Sequence, residues 1–142
     1  LLEQFYEEYS LCTPCPTHFM TKPEASFVKY AINSFLATKV TFFNQLYDAC
    51  HAHDNVNFNK VIKAVGADKR ISISHTKVPG FDGKQGYGGA CFPKDTLAFS
   101  KFSDKLTLLA KAIEINNEYR SQYDRDEREK EQNIQFNHVQ NG

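Results

Sequence analysis

The sequence has no surplus of charge of either sign and no long hydrophobic run. Its 142 residues include 17 Lys and Arg and 17 Asp and Glu, so the formal net charge is zero. That balance argues against a protein that binds nucleic acid or a membrane surface through bulk charge. No run of about 18 apolar residues occurs, which argues against a transmembrane span. A chain of this length is expected to form one domain or part of one.

The start of the sequence lacks the marks of a secretory signal. Its first residues, LLEQFYEEYS, contain acidic side chains and no basic segment, so no signal peptide is predicted. They are typical of a helix entered without a cap, and we therefore expect the chain to begin inside a larger protein. Without a secretory signal, we expect a cytoplasmic chain whose cysteines are reduced.

Cysteine is scarce, and its spacing does not predict a metal site. Four cysteines are present, of which Cys12 and Cys15 form a C-x-x-C pair. A structural zinc site needs a second pair of ligands, and none stands at a suitable spacing. A redox motif needs the pair between a strand and a helix, whereas this pair precedes the extended run CPTHFMT. Chance spacing is the favoured interpretation, and no metal site is predicted.

Helix signals dominate the rest of the chain, so the predicted fold class is mainly α. The run TKPE begins a helix, because Thr21 can cap it, Pro23 fits the first turn and Glu24 completes a capping box. No Gly or Pro follows before His53, which predicts one helix of roughly 30 residues against a mean of about 11–12. Apolar residues occur nearly all round it, so part of its surface is expected to be covered by a partner.

Shorter elements are predicted on both sides of the long helix. Residues 1–9 are assigned to the end of a helix and residues 15–21 to a short strand. After Arg120 the chain is charged and then polar. Either charge pairs prolong the last helix into this segment, or the segment is frayed. The remaining predicted elements are a helix over 58–65 capped by Asn57, a loop over 71–90, a helix opened by Pro93, and a helix over 106–119 capped by Ser103 or Asp104.

The stretch QGYGGACFPKD, residues 85–95, holds a candidate nucleophile. Cys91 stands at the predicted start of a helix, where free amides and the helix dipole favour an anion. Lys94 adds a cation, and Asp95 lies one turn after Cys91, where it can orient water or accept a proton. One interpretation is a thiolate beside a bound polar substrate. The other, equally supported by spacing alone, is a small buried hydrophobic residue in a glycine turn.

The same stretch contains a glycine loop. Gly86, Gly88 and Gly89 leave backbone N–H groups open to a ligand because they carry no Cβ atom. No G-x-G-x-x-G motif follows a predicted strand, so the chain is not expected to contain a dinucleotide phosphate loop.

Polar residues on the long helix form a second candidate site. Lys29 and Asn33 are spaced i,i+4 and therefore share a face, on which Asn44 also falls. An ammonium and a carboxamide together can bind a developing oxyanion. Taken alone, the pair favours a solvated stripe over a binding site.

These motifs together resemble the UDP-glucose dehydrogenase family of nucleotide-sugar dehydrogenases. GYGGACFPKD and the upstream KYAINSFLATKVTFFNQL carry the resemblance, with ADKRI between them, over about residues 1–120. It implies the last helix and strand of an NAD-binding Rossmann domain over 1–21. A helical central dimerisation domain is implied over 22–120, and residues 121–142 remain as a charged and polar tail.

The resemblance also implies a reaction and the residues that perform it. Such enzymes oxidise the C6 alcohol of a sugar nucleotide twice with two NAD+. Cys91 matches the nucleophile that forms first a thiohemiacetal and then a thioester. Lys29 and Asn33 match the residues that stabilise the oxyanion and position water, and Asp95 matches the aspartate that assists the lysine and the hydrolytic water.

Binding roles are implied for further residues. Lys94 matches a residue placed near the NAD phosphates, and Lys77 matches a contact to the substrate diphosphate. Arg70 matches an arginine that reaches across a dimer into the neighbouring active site, in agreement with a homodimer formed through the long helix 22–53. The loop that holds the sugar is matched by Gly86, Tyr87, Gly88 and Gly89.

Two functions from different classes follow. The chain is part of a nucleotide-sugar dehydrogenase acting on UDP-glucose or GDP-mannose, or it is a non-catalytic helical dimerisation module that kept the scaffold. The matched site residues favour the enzyme. The chain by itself is expected to be inactive, because hydride transfer needs an NAD site that it lacks.

Overall fold

A computed structural model describes residues 2–11 and 16–137 of the chain. Within these ranges helices are connected by irregular segments and no strand is formed, so the mainly α prediction is confirmed. None of the helices in this part of the chain is both long and apolar enough to cross a membrane. The helices are α1 (Leu2–Tyr9), α2 (Lys22–His51), α3 (Phe58–Gly66), α4 (Phe92–Phe102), α5 (Thr107–Arg120) and α6 (Glu127–Glu131).

Helix α2 is the long helix that the sequence predicts, and it spans 30 residues. Its capping box is present. The backbone N–H of Glu24 donates to Oγ1 of Thr21 at 3.5 Å, and the Thr21 N–H donates to the Glu24 carboxylate at 2.6 Å. The predicted start of α2 is therefore confirmed.

The strand predicted over 15–21 is wrong for residues 16–21, which form no regular structure and are exposed. An extended segment needs a neighbouring strand to bind its backbone groups, and the described residues offer none. Cys12 and Cys15 lie outside the described residues, so the interpretation of the C-x-x-C pair stays a prediction.

Helix α2 is the central element, and it packs against α3, α4 and α5. Asn57 caps α3 as predicted, because its Oδ1 accepts from the N–H of Lys60 at 3.1 Å. A core forms where α2 meets α3 and the loop that follows α3. Its buried members are Phe43, Cys50, Phe58, Ile62 and Val78.

The predicted cap of α5 is wrong. Ser103 Oγ accepts from the N–H of Lys105 at 3.2 Å, so it closes a short turn before the helix. Leu106 occupies the cap position without a side-chain capping bond. At its other end α5 is not prolonged, because the chain turns after Arg120 and starts α6 with a new capping box.

Candidate active site

The site is built around the start of α4. Cys91 occupies the cap position of this helix and Pro93 lies in its first turn, as the sequence predicts. The thiol is free and exposed, and it makes no side-chain capping hydrogen bond. The interpretation of Cys91 as a small hydrophobic residue buried in a turn is therefore excluded. Its thiol is accessible to a reactant.

The carboxylate of Asp95, one turn after Cys91, contacts three other predicted site residues. Its side chain is only 2% exposed. Oδ2 accepts from Nδ2 of Asn33 at 2.7 Å and lies 3.6 Å from Nζ of Lys29. Oδ1 accepts from Nζ of Lys94 at 3.1 Å. The long helix and α4 thus each contribute one lysine to a single buried carboxylate.

The surroundings of Asp95 keep it ionised. Burial by itself raises the pKa of this carboxyl. The hydrogen bonds from Asn33 and Lys94, with the charges of Lys94 and Lys29, outweigh that effect and hold the pKa of Asp95 below its usual value. The hydrogen bond to Asp95 in turn raises the pKa of Lys94. At neutral pH the site therefore holds a carboxylate that can accept a proton.

The polar face of α2 is not a solvated stripe along its whole length. Asn33 is half-buried against Asp95, and Asn44 is 2% exposed. The side chain of Lys29 remains 59% exposed although its ammonium lies close to Asp95. The ammonium of Lys29 therefore lies near Asp95 and is still accessible to a ligand.

The glycine loop is held by amide side chains from two helices. The N–H of Gly86 donates to Oδ1 of Asn44 on α2 at 3.0 Å. Asn116 on α5 binds both backbone groups of Tyr87, accepting from its N–H at 2.6 Å and donating to its carbonyl at 3.0 Å. Gly86 has φ +75°, a conformation that glycine adopts without strain. The side chain of Tyr87 is buried, so it holds the loop against the protein interior.

A buried ion pair holds the far end of the loop. The N–H of Gly89 donates to Oε1 of Glu129 at 2.9 Å. Arg120 donates to the same oxygen from Nη2 at 2.7 Å and to Oδ2 of Asp82 from Nη1 at 2.7 Å. The segment around α6 therefore contacts the loop directly.

An open cavity of about 620 Å³ lies over the loop, and it is lined by all four residues of 86–89. Lys77 reaches the cavity with its ammonium 4.3 Å from the centre of the Phe81 ring. Phe92, which follows Cys91, also lines it. Lys77 and the glycine loop therefore line the same cavity.

Arg70 is not brought to this cavity. Its side chain is exposed and donates to Asp68 at 2.6 Å. In the described part of the chain, no group of three or more His, Cys, Asp or Glu side chains is placed to hold a metal ion.

The sequence-based predictions missed Asn116, Arg120 and Glu129. Each is buried in a helix, and each binds the loop or a residue that binds it. Asn44 was recognised only as a polar residue on the face of Lys29. A polar residue within an apolar stripe signals that a partner exists, but it does not identify a partner some 30 to 40 residues away.

Comparison with known proteins identifies the family of this chain. Residues 23–118 match the sequence model of the UDP-glucose/GDP-mannose dehydrogenase family, central domain. The chain belongs to this family. The match includes both lysines around Asp95, the glycine loop and Cys91, and it ends before Arg120.

The chain is also similar to curated UDP-glucose 6-dehydrogenases. A UDP-glucose 6-dehydrogenase of Rhizobium meliloti is 41% identical over 86 residues, which are 61% of this chain and 18% of the relative. One of Pseudomonas aeruginosa is 39% identical over 101 residues, 69% of this chain and 21% of the relative. The UDP-glucose 6-dehydrogenase YwqF of Bacillus subtilis is 32% identical over 120 residues, 82% of this chain and 25% of the relative. The chain thus spans about a fifth to a quarter of the length of these relatives.

Proposed function

We propose that this chain is the central, nucleophile-bearing part of a nucleotide-sugar dehydrogenase. The reaction is the oxidation of the C6 alcohol of UDP-glucose, or of a related sugar nucleotide, to the acid. NAD+ supplies the hydride acceptor, twice for each product. The observation that carries the proposal is the convergence of Lys29, Asn33 and Lys94 on Asp95, one turn after an exposed Cys91.

Cys91 is the nucleophile of this proposal. Its sulfur adds to the carbon of the aldehyde and forms a C–S bond, which gives a thiohemiacetal. Loss of a hydride from that carbon, for which NAD+ would be the acceptor, together with loss of the hydroxyl proton converts the thiohemiacetal to a thioester. Water then hydrolyses the thioester to the acid and the free thiol. The exposure of Cys91 at the start of α4 supports this assignment, because the sulfur is accessible to a carbonyl carbon.

The residues around Asp95 act on the oxygen atoms of the reaction. The exposed ammonium of Lys29 donates to the substrate oxygen as negative charge develops on it in each of the two oxidation steps. Asn33 gives one N–H to Asp95 and retains a second N–H and its carbonyl oxygen to position water. Asp95 is ionised, so it accepts a proton as water attacks the thioester.

Lys94 is the residue of this chain proposed to lie beside the NAD phosphates. One of its three N–H donors is committed to Asp95, and its side chain is 50% exposed, so donors remain for a phosphate oxygen. The donor set therefore fits an anionic group. Because the sequence has no dinucleotide phosphate loop, the chain by itself is expected not to turn over.

Substrate binding is assigned to the cavity over the glycine loop. Loop residues 86–89 hold the sugar, and Lys77 contacts the diphosphate. Arg70 is exposed and does not line this cavity, which leaves it free to contact the active site of a second subunit. We propose a homodimer through α2, whose surface includes the exposed side chains of Val28, Ile32, Phe35 and Phe42.

The same apolar surface favours a second candidate function, a helical dimerisation module without catalysis. The two are separated by incubating the protein that contains this chain with NAD+ and either UDP-glucose or GDP-mannose, and by measuring NADH and the acid. We expect the wild type to form acid and Cys91→Ser to lose it by orders of magnitude, because a hydroxyl is a far weaker nucleophile. Cys50→Ala, which removes a thiol from the core, is the control. Acid formation by Cys91→Ser at the wild-type rate would contradict the proposal.

A further inference from the structure

The segment that follows the family match folds back onto the glycine loop. The match ends at residue 118. Arg120 and Glu129, which come after it, are 1% and 0% exposed and are among the largest fully buried side chains of the described residues. Taking two charges out of water is expensive unless both are paired and hydrogen-bonded. The burial of this ion pair is therefore explained by the groups that it contacts.

Both carboxylate oxygens of Glu129 act as hydrogen-bond acceptors. Oε1 accepts from the N–H of Gly89 at 2.9 Å and from Nη2 of Arg120 at 2.7 Å. Oε2 accepts from the N–H of Asp126 at 2.9 Å, which closes the capping box of α6. One side chain thus ties together the loop, the end of α5 and the start of α6.

The loop lies directly on this pair. A Cβ atom at Gly88 would stand 2.2 Å from Nη2 of Arg120 and 2.3 Å from Oε1 of Glu129. These head groups are buried and hydrogen-bonded to each other, so moving them away from Gly88 would disturb those bonds. The pair and the bare backbone at Gly88 therefore fit each other closely, and the fit fixes how the loop faces the cavity.

We propose that the Arg120–Glu129 pair is a positioning device for the glycine loop and thereby sets the affinity for the sugar nucleotide. It acts through the N–H of Gly89 and through contact with Gly88. This inference rests on the proposed function, in which residues 86–89 hold the sugar. The loop binds parts of the substrate that do not react. A displaced loop therefore weakens binding of the substrate equally in the ground state and in the transition state.

The test is Glu129→Gln in the full enzyme that contains this chain. Glutamine is uncharged and has one acceptor oxygen, so the hydrogen bonds from Gly89 and Arg120 lose a charged acceptor even when that oxygen faces them, and the hydrogen bond from Asp126 is then lost. We expect the KM for UDP-glucose to rise about tenfold, the equivalent of one lost charge-assisted hydrogen bond. The kcat is expected to stay within about twofold of the wild type, because the lost contact stabilises the bound substrate and the transition state equally.

Glu127→Gln is the matched control, because it makes the same substitution in the same helix at an exposed carboxylate, which pairs with Lys130. We expect its KM to equal that of the wild type. Arg120→Lys is the second variant, since it keeps the charge but loses the planar fork that reaches Asp82 and Glu129 together. It is expected to raise KM in the same direction by a smaller factor.

Hydrogen exchange at Gly89 measures the positioning without substrate. We expect this amide to exchange at least about tenfold faster in Glu129→Gln than in Glu127→Gln. An unchanged KM, or an unchanged exchange rate at Gly89 in a folded Glu129→Gln enzyme, would overturn the inference. A fall in kcat with an unaltered KM would overturn it too. If the wild type binds no sugar nucleotide, the proposed function fails, and the exchange rate at Gly89 alone decides whether the pair holds the loop.

Discussion

Asn33 on α2 donates to Asp95 on α4 at 2.7 Å, across 62 residues of sequence. The bond joins the long helix to the helix that Cys91 begins. Because the same carboxylate is also paired with two lysines, its charge has both a chemical and a structural effect. Substitutions at Asp95 should therefore alter the reaction and the stability together, and the two effects can be measured separately.

Asp95→Asn in the full enzyme is expected to slow hydrolysis of the thioester most strongly. The amide keeps the size of the side chain but cannot accept a proton from water, and a general base typically contributes about 10²–10⁴ in rate. A covalent adduct should then accumulate on Cys91 after sugar nucleotide and NAD+ are added, which intact-protein mass spectrometry detects. Asp54→Asn, at an exposed carboxylate, is the control and should show no adduct. An adduct-free Asp95→Asn enzyme that forms acid normally would exclude this role.

The stability of the chain should fall at acid pH, in part through Asp95. Its pKa is lower in the folded state than its unfolded value of about 3.9, so its contribution is complete above that pH. The contribution is lost as the pH falls through the lowered folded-state pKa. Urea unfolding between pH 2 and pH 7 should show a shallower acid loss for Asp95→Asn than for Asp54→Asn. Equal slopes for the two variants would contradict the ion-pair geometry.

Lys29→Ala is expected to slow both oxidation steps, because an oxyanion is stabilised in each. Removing one such donor costs about 10²–10³ in rate. Lys22→Ala, in the first turn of the same helix, is the control and should retain wild-type rates. The measurement is single-turnover NADH formation from the alcohol and, separately, from the aldehyde. A defect confined to one of the two substrates would argue for a different role of Lys29.

Cys91 should be alkylated by iodoacetamide before the other cysteines. It is exposed at a helix start, whereas Cys50 is buried in the core between α2 and α3. Peptide mapping by mass spectrometry after short labelling at neutral pH gives the order. Labelling of Cys12 or Cys15 before Cys91 would contradict the assignment of Cys91 as the nucleophile.

The chain is expected to sediment as a homodimer at micromolar concentration. The exposed apolar side chains along α2 are more numerous than a solvated helix normally carries. Phe35→Glu should weaken the dimer, because it places a charge on this surface. Leu108→Glu, which changes an exposed apolar residue of α5, is the control. A folded wild-type monomer at these concentrations would exclude the dimer.

Local signals in the sequence were sufficient for α2 and for the placement of Cys91. The capping box of Thr21 and Glu24 and the position of Pro93 depend on residues a few positions apart, so the chain itself supplies the evidence. The loop over 71–90 was predictable for the same reason. The strand over 15–21 was not, because strand formation depends on neighbouring strands and not on the segment alone.

The acceptors of the loop could not be predicted from local pattern. Asn116 and Glu129 have ordinary helix-surface chemistry, and only the packing of α5 and α6 turns them toward the loop. The charged run after Arg120 was consistent with an extended or a frayed helix. Its actual course depends on one buried carboxylate that meets an amide 40 residues earlier in the chain.

The loop's distant anchors have a consequence for the order of folding. The N–H groups of Gly86, Tyr87 and Gly89 bind side chains that are 42, 29 and 40 residues away in sequence. Contacts of such separation form after local ones, because the chain must first lose the entropy of closing long loops. During refolding, helical circular dichroism should therefore recover before substrate binding does. On heating, the order reverses, and the enzyme should lose its affinity for substrate at temperatures where its helices are still intact.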